Sequence, residues 1–422
     1  MSILIKNARV ITLDSENSIL EDACVYIKDG IIESVGAEPG VSADRCIDAA
    51  GKTVMPGFVN THTHLPMNLF RSYADDMPLM TWLEEKIWPS EARMDETAVY
   101  YGAMAALAEM AMGGVTAFAD AYYLYDWYIE AIRKSGMRAL IGRSVVDTDY
   151  AEGERKFSEM LDMRKNMRGG RVDVGFAAHA VYTCSPSMLR RIAEAAVGTD
   201  VIIQVHASET ASEVDGCMKA NGTTPIRLLK DTGILDSKVI AAHCVWPEEE
   251  EIELLASGDV TVSHCPSSNM KLASGIAPVP DMKKKGVNIA LGTDSASSNN
   301  ALSVWREMTE CALIHKADSL DATAVDALSA LRMATVNGAK AMNLNSGTIE
   351  KGKNADLIMV DTSGIRYAPA CGNTIPNIVY SGTDSDVCMT MVGGDILYEN
   401  GEVTFCDIDE CMAKMKEFIQ SL

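Results

Sequence analysis

Long apolar runs, positive charge and paired cysteines are what this 422-residue chain has least of. No stretch of 18 apolar residues occurs, because Glu109 and Asp120 interrupt the longest candidate, and Met1 to Arg9 lacks the apolar region of a signal peptide. A cytoplasmic protein that is neither membrane-spanning nor exported by that route is expected. Lysine plus arginine number 37 against 59 aspartate plus glutamate, a formal net charge of −22, so the average surface field repels polyanions. Nucleic acid and anionic membrane are therefore not expected as partners. The eleven cysteines, spread from Cys24 to Cys411, contain no Cys-x-x-Cys pair. Neither a dense disulfide framework nor a zinc ribbon fits, and they read as buried free thiols in a reducing compartment.

What is present is the balance of an ordinary globular protein, 47% hydrophobic and 23% charged. The length exceeds the roughly 250 to 300 residues at which one core stops growing, so a second folding unit is expected. Short strands read at Ile3 to Ile5, Ala8 to Thr12, Ala23 to Lys28 and Ile31 to Val35, the last two joined by an Asp29-Gly30 turn. The same texture returns at Ala355 to Val360, Asp386 to Val392 and Asp395 to Tyr398, with turns at Gly393-Gly394 and Asn400-Gly401. The two ends, 1–55 and 350–422, are expected to form one discontinuous β-sandwich domain.

Between them, residues 56–349 alternate β-branched runs with helical stretches. The runs are Val54 to Val59, Val115 to Ala119, Ala139 to Val145, Val172 to Ala178, Val201 to Val205, Lys238 to Ala242, Val260 to Ser263 and Val287 to Leu291. Eight such units predict an α/β fold, a TIM-like (β/α)8 barrel whose active site lies at the C-terminal strand ends; a doubly wound sheet is the alternative. The acidic run Glu248 to Glu251 reads as the solvated first turn of a helix.

Histidine is scarce, with seven in all, and six of them fall at the ends of those strands. His62 and His64 follow the first, in Asn60-Thr-His-Thr-His64, where alternate residues of an extended segment point the same way. His179, His206, His243 and His264 end the fourth to seventh, and Asp294 closes the eighth in Gly292-Thr-Asp294. Imidazole nitrogens with one carboxylate suit zinc, or ferrous iron at a similar site, rather than calcium or magnesium. Glu209, three residues after His206, is close enough for a carboxylate to do acid–base work without being a ligand.

At this point the chain resembles the metal-dependent amidohydrolases of the cytosine/adenosine deaminase and chlorohydrolase branch. The resemblance rests on Met55-Pro-Gly-Phe-Val-Asn-Thr-His-Thr-His64, His206-Ala-Ser-Glu209, His264-Cys-Pro-Ser-Ser-Asn269, Gly292-Thr-Asp294, Ala334-Thr-Val-Asn-Gly-Ala-Lys340 and Gly352-Lys-Asn-Ala-Asp-Leu357. It implies metal ligation by His62, His64, His206 and Asp294, with His243, Glu209 and Asp294 around an attacking water. Some members hold two metals on a carboxylated lysine of strand four; Val172 to His179 contains no lysine, so one divalent ion per chain is expected, zinc first and Fe2+ second.

Within the branch the chain is similar to the methylthioadenosine/S-adenosylhomocysteine and 5'-deoxyadenosine deaminases. Thr81-Trp-Leu followed by Ile87-Trp-Pro-Ser-Glu91 matches the segment that offers a glutamate, here Glu91, to the ribose hydroxyls. By the same likeness His179 touches purine or ribose, Glu209 and Asp294 also face the substrate, and Arg143 and Arg155 hold a homocysteine carboxylate. Two departures are Trp246, where relatives often have histidine, and Ser295, often glycine. The expected activity is hydrolytic deamination of a C5'-modified adenosine to the inosine derivative and ammonia by a homo-oligomer. Alternatives are an aminohydrolase or chlorohydrolase of a free purine, pyrimidine or triazine, and a non-catalytic scaffold on the same fold.

Overall fold

The computed structural model describes residues 1–123, 125–147, 149–369 and 371–422. The chain opens with five strands, β1 (Ser2–Ile11), β2 (Ile19–Lys28), β3 (Ile31–Gly36), β4 (Arg45–Asp48) and β5 (Lys52–Pro56). Eight more follow: β6 (Phe58–Thr63), β7 (Val115–Tyr122), β8 (Arg138–Val145), β9 (Val172–Ala180), β10 (Ile202–Ala207), β11 (Lys238–His243), β12 (Val260–His264) and β13 (Asn288–Leu291). The last four are β14 (Leu357–Asp361), β15 (Val387–Val392), β16 (Asp395–Glu399) and β17 (Glu402–Val403).

Strands β6 to β13 pair in chain order and in parallel, with helices between them, as an (α/β) barrel requires. The seam is crossed by Thr61 Oγ1, which donates to the Leu291 carbonyl at 2.9 Å, and by the Asp294 N–H, which donates to the His62 carbonyl at 2.9 Å. Glycine is required beside it: a Cβ on Gly292 would lie 2.7 Å from His62 Cβ. The remaining strands form one sheet in the order β17-β16-β15-β14-β5-β1-β2-β3, with β4 also paired to β1. That sheet has its own core, including Ile3, Val10, Val25, Ile32, Met389 and Met391.

Three boundaries differ from the sequence reading. Val54 to Val59 is two strands: β5 belongs to the terminal sheet, β6 to the barrel, and Gly57 between them meets Thr116 so closely that a Cβ would lie 2.1 Å from its Cγ2. Ile3 to Ile5 and Ala8 to Thr12 are one strand, bulged between Ile5 and Ala8, where Asn7 takes a φ of +58°. The C-terminus also leaves the sheet, as described next.

Five helices matter below: α1 (Glu96–Met112), α2 (Tyr150–Met167), α3 (Ala211–Asn221), α4 (Val304–Ser319) and α5 (Ile408–Ser421). Each starts where a short polar side chain, Asp95, Asp149, Thr210, Ser303 or Asp407, accepts a first-turn N–H, a cap worth about 1 kcal/mol. Helix α5 packs on the barrel: Glu410 accepts from the Tyr101 hydroxyl at 2.8 Å, and Phe418 meets Phe70.

The acidic run opens a helix at Glu249–Ser257, and Glu249 and Glu250 are solvated as expected. Glu251 is not. It is fully buried and accepts from Thr224 Oγ1 and the Arg227 and Glu248 N–H groups. All eleven cysteines are free, but Cys46 and Cys371 are exposed, so the reading of buried thiols holds for part of the set. Among the described residues no helix is long and apolar enough to cross a membrane.

Candidate active site

His62 lies within β6 and His64 one residue beyond it, so the two rings issue from the same side of the strand end. His206 comes from β10, and Asp294 from the turn after β13. His64 Nδ1 faces the Ala121 carbonyl at 2.7 Å and His206 Nδ1 the His179 carbonyl at 2.7 Å. A carbonyl only accepts, so both rings carry their proton on Nδ1 and present a bare Nε2 to the centre. There His64 Nε2 and His206 Nε2 stand 3.4 Å apart, and Asp294 Oδ1 is 3.4 Å from His64 Nε2 and 3.7 Å from His62 Nε2. Bonds of about 2.0 to 2.1 Å at a tetrahedral angle put donors about 3.4 Å apart.

The donor set fits a cation. His62 Nε2 is buried without a hydrogen-bond partner, and burial followed by the neighbouring His64 holds that ring's affinity for a proton well below ordinary. Burial and His62 do the same for His206. Burial would raise the Asp294 carboxyl, but His62, His64 and His243 outweigh it and keep it ionised. Ser268 and Ser298 hydroxyls donate to its Oδ2 at 2.7 and 2.9 Å and the Ser295 N–H to its Oδ1 at 2.7 Å, fixing the carboxylate toward the imidazoles.

Beside this cluster, His243 Nε2 lies 3.8 Å from Glu209 Oε2, and its Nδ1 donates to Asn269 Oδ1 at 2.9 Å. Burial opposes charge on the ring, yet Glu209 and Asp294 prevail and raise its affinity for a proton. Burial raises the Glu209 carboxyl also. His243 and Asp294 sit at φ +71° and +59°, left-handed conformations that cost non-glycine residues about 1 to 3 kcal/mol each and are retained where surroundings fix them.

A cavity of about 530 Å³ opens over the cluster, within the range that holds a small ligand. His64, His179, His206, Glu209, His243 and Asp294 line its floor, with Glu91, Tyr122 and Tyr123 on one wall and Leu79, Trp82 and Trp88 on an apolar one. Glu91 is buried; burial raises its carboxyl, and the Tyr122 hydroxyl donates to it. His179 lines the cavity with its Nδ1 hydrogen-bonded to Thr183 Oγ1 at 2.8 Å, and burial pushes that ring down to about 4. Ser295 lines the cavity, whereas Trp246 donates its indole N–H to the Ser274 carbonyl.

Arg143, Arg155 and His264 are not among the residues that line the cavity. Arg143 lies within β8, two residues before its end, and is buried: its guanidinium donates to the Tyr123 carbonyl and pairs with Glu159 of α2. Arg155 is on α2, exposed, and bound to Glu152 at 2.8 Å and to Glu159. Among the described residues the cation that lines the cavity is the next one along, Lys156, about 100° further round the helix and 3.3 Å from Glu152.

His264 does not join the other five strand-end histidines. Its Nε2 meets His315 Nε2 of α4 at 3.1 Å, with Cys311 nearby. An imidazole bound to a metal through one nitrogen carries a proton on the other and needs an acceptor for it. Neither Nδ1 has a partner, so the trio reads as a buried hydrogen-bonded pair rather than a second metal centre.

The sequence reading assigned no role to Tyr122 and Tyr123, which back Glu91, or to Lys156; Ser268 and Asn269 stood in a quoted motif without a task. The pattern of the Amidohydrolase family matches residues 53–397. The chain belongs to that family. Over its whole length this amidohydrolase is 38% identical to the 5-methylthioadenosine/S-adenosylhomocysteine deaminase of Thermoanaerobacter pseudethanolicus, covering 99% of that protein. It is 40% identical to the 5'-deoxyadenosine deaminase of Methanosarcina acetivorans, again over all of its own length and 98% of the relative. Among solved structures, an adenosine deaminase from Xanthomonas campestris with bound zinc superposes with a TM-score of 0.95 at 33% identity, covering 99% of this chain and 98% of that one. The atrazine chlorohydrolase of Arthrobacter aurescens complexed with zinc superposes at 0.92 and 25% identity, covering 99% and 100%.

Proposed function

We propose that this amidohydrolase removes the 6-amino group of a C5'-modified adenosine by hydrolysis, releasing ammonia and the inosine derivative. The observation that carries the reading is Glu91: a buried carboxylate backed by Tyr122 on the cavity wall facing the histidine cluster. Two ribose hydroxyls are donors that such an acceptor satisfies, and a free base or a triazine offers none. The named relatives deaminate adenosine derivatives, which agrees.

In this reading His62, His64, His206 and Asp294 hold one divalent ion, zinc by preference given the neighbours that contain it. When bound, the ion supplies a nucleophile at neutral pH by lowering the pKa of a coordinated water toward about 7. His243, whose affinity for a proton is raised by Glu209 and Asp294 against the effect of burial, orients the attacking oxygen. Glu209 takes the water proton and passes it to N1 of the adenine, which makes C6 electrophilic. His179 faces the nucleoside. Lys156 is placed to meet an anionic group beyond C5', and the apolar wall of Leu79, Trp82 and Trp88 an uncharged one.

The test is a panel of adenosine, 5'-deoxyadenosine, methylthioadenosine, S-adenosylhomocysteine, guanine and cytosine, read by ammonia release and by the ultraviolet change from adenine to hypoxanthine. Turnover confined to nucleosides supports the reading. Turnover confined to free bases returns the cavity to another aminohydrolase.

A further inference from the structure

The segment that carries Glu209 is bent, buried and pinned on both sides. After β10 the chain turns at Ser208, a non-glycine residue at φ +49°, and delivers Glu209 over the cavity floor. The Ser208 carbonyl accepts from the Val245 and Trp246 N–H groups, both at 3.0 Å, which ties the turn to the loop that follows His243. On its other side the N–H groups of Ser208 and Glu209 face inward. Both residues are buried, so those amides need an acceptor within the protein.

Glu213 of α3 supplies it. Its Oε2 accepts from the Glu209 N–H at 2.7 Å and its Oε1 from the Ser208 N–H at 3.2 Å. The reach is an extended form of helix capping: Thr210 Oγ1 accepts the Glu213 N–H, and the Glu213 carboxylate returns past Thr210 to the two residues before it. Glu213 does not line the cavity and touches no donor of the metal cluster. A carboxylate offers two acceptor oxygens, so one side chain gives each of two successive amides an oxygen of its own, Oε1 for Ser208 and Oε2 for Glu209; a glutamine of the same length has only one acceptor oxygen.

We propose that Glu213 is a positioning residue for the proton shuttle: by clamping the peptides of Ser208 and Glu209 it keeps the strained turn in the one conformation that points the Glu209 carboxylate at His243 and the reacting water. This rests on the assignment of Glu209 as the shuttle. Without the clamp the amides turn to seek other acceptors, Ser208 relaxes from its left-handed conformation, and Glu209 leaves its place near His243. A displacement of about 1 Å at a reacting group is enough to cost about a hundredfold in rate.

The experiment measures kcat, KM and metal content for Glu213→Ala and Glu213→Gln, each in the zinc-loaded full chain and each also combined with Glu209→Gln. Glu213→Ala should lower kcat by about ten- to a hundredfold while KM moves by less than about threefold and the metal stays bound. Glu213→Gln, which keeps the shape but has one acceptor oxygen in place of two, should recover part of the loss and is the variant to read if alanine prevents folding. Added to Glu209→Gln, the same substitutions should cost less than about threefold, because residues acting as a unit are not additive. An equal factor in both backgrounds, an unchanged kcat, or loss of metal in step with activity would overturn the proposal. If the parent enzyme deaminates no nucleoside, the functional reading fails instead; if Glu209→Gln is impaired and Glu213→Ala is not, only the positioning role does.

Discussion

Glu209 lines the cavity floor, is buried, and lies 3.8 Å from His243, while the four donors of the metal cluster are complete without it. Glu209→Gln should therefore retain its metal by elemental analysis and lose about 10² to 10⁴ in rate, the usual share of a proton shuttle. Metal lost with activity would make it a ligand. Glu91 acts on the cavity wall: its replacement by alanine should lower kcat/KM for nucleosides with the metal retained, and the parent enzyme should turn over 2'- and 3'-deoxy substrates more slowly than their ribose counterparts. Equal turnover of the two sets removes the ribose from Glu91. The cations make a third contrast. Lys156→Met should depress kcat/KM for S-adenosylhomocysteine by about ten- to a hundredfold, the worth of one charge-assisted hydrogen bond, and spare 5'-deoxyadenosine. Arg143→Met, which breaks a contact with Glu159 at a position that does not line the cavity, should leave the ratio of the two substrates unchanged.

At the scale of elements, the barrel is held together above the floor by buried carboxylates at helix starts. Glu307, in the first turn of α4, accepts from the Ser267 N–H at 3.0 Å and from Asn299 Nδ2 at 2.7 Å, joining the loops after β12 and β13 that carry Asn269 and Asp294. Burial pushes its carboxyl from 4.5 up to about 8. Between those values the folded chain keeps a proton that the unfolded chain releases, so its contribution to stability falls as pH rises through the window, by at most about 1.4 kcal/mol per pH unit, and levels off above it. Glu307→Gln is neutral throughout and should show a shallower loss of melting temperature between pH 6 and pH 8 than the parent; parallel slopes would contradict this. The strand ends were legible because β-branched runs and histidines mark them within a few residues of sequence. Glu307, Glu251 and Glu213 were not, because a glutamate in the first turn of a helix looks the same whether water or a neighbouring loop receives it. Arg143 and His264 illustrate a related point: both stand near the active-face ends of their strands, but position in a strand alone does not decide whether a side chain lines the cavity.

For the whole molecule, the proposed metal donors come from the first, fifth and eighth barrel strands, so an ion there would bind the folded chain and not the unfolded one. A ligand at a thousand times its dissociation constant stabilises by about 4 kcal/mol. Chelation should lower the melting temperature, zinc should restore it, and elemental analysis should give one ion per chain, since the His264–Cys311–His315 trio lacks acceptors for its ring protons. A melting temperature indifferent to complete metal removal would refute the placement. The seam between β13 and β6 gives this a kinetic sense. The two strands that meet there are the last and first of the ring, and their junction includes the Asp294 N–H on the His62 carbonyl, the backbones of two metal donors. Every other pairing in the barrel joins neighbours in sequence, whereas this one waits until the eighth strand exists and has found the first. An ion held there would act as a clasp, fastening the ring where its last strand meets its first.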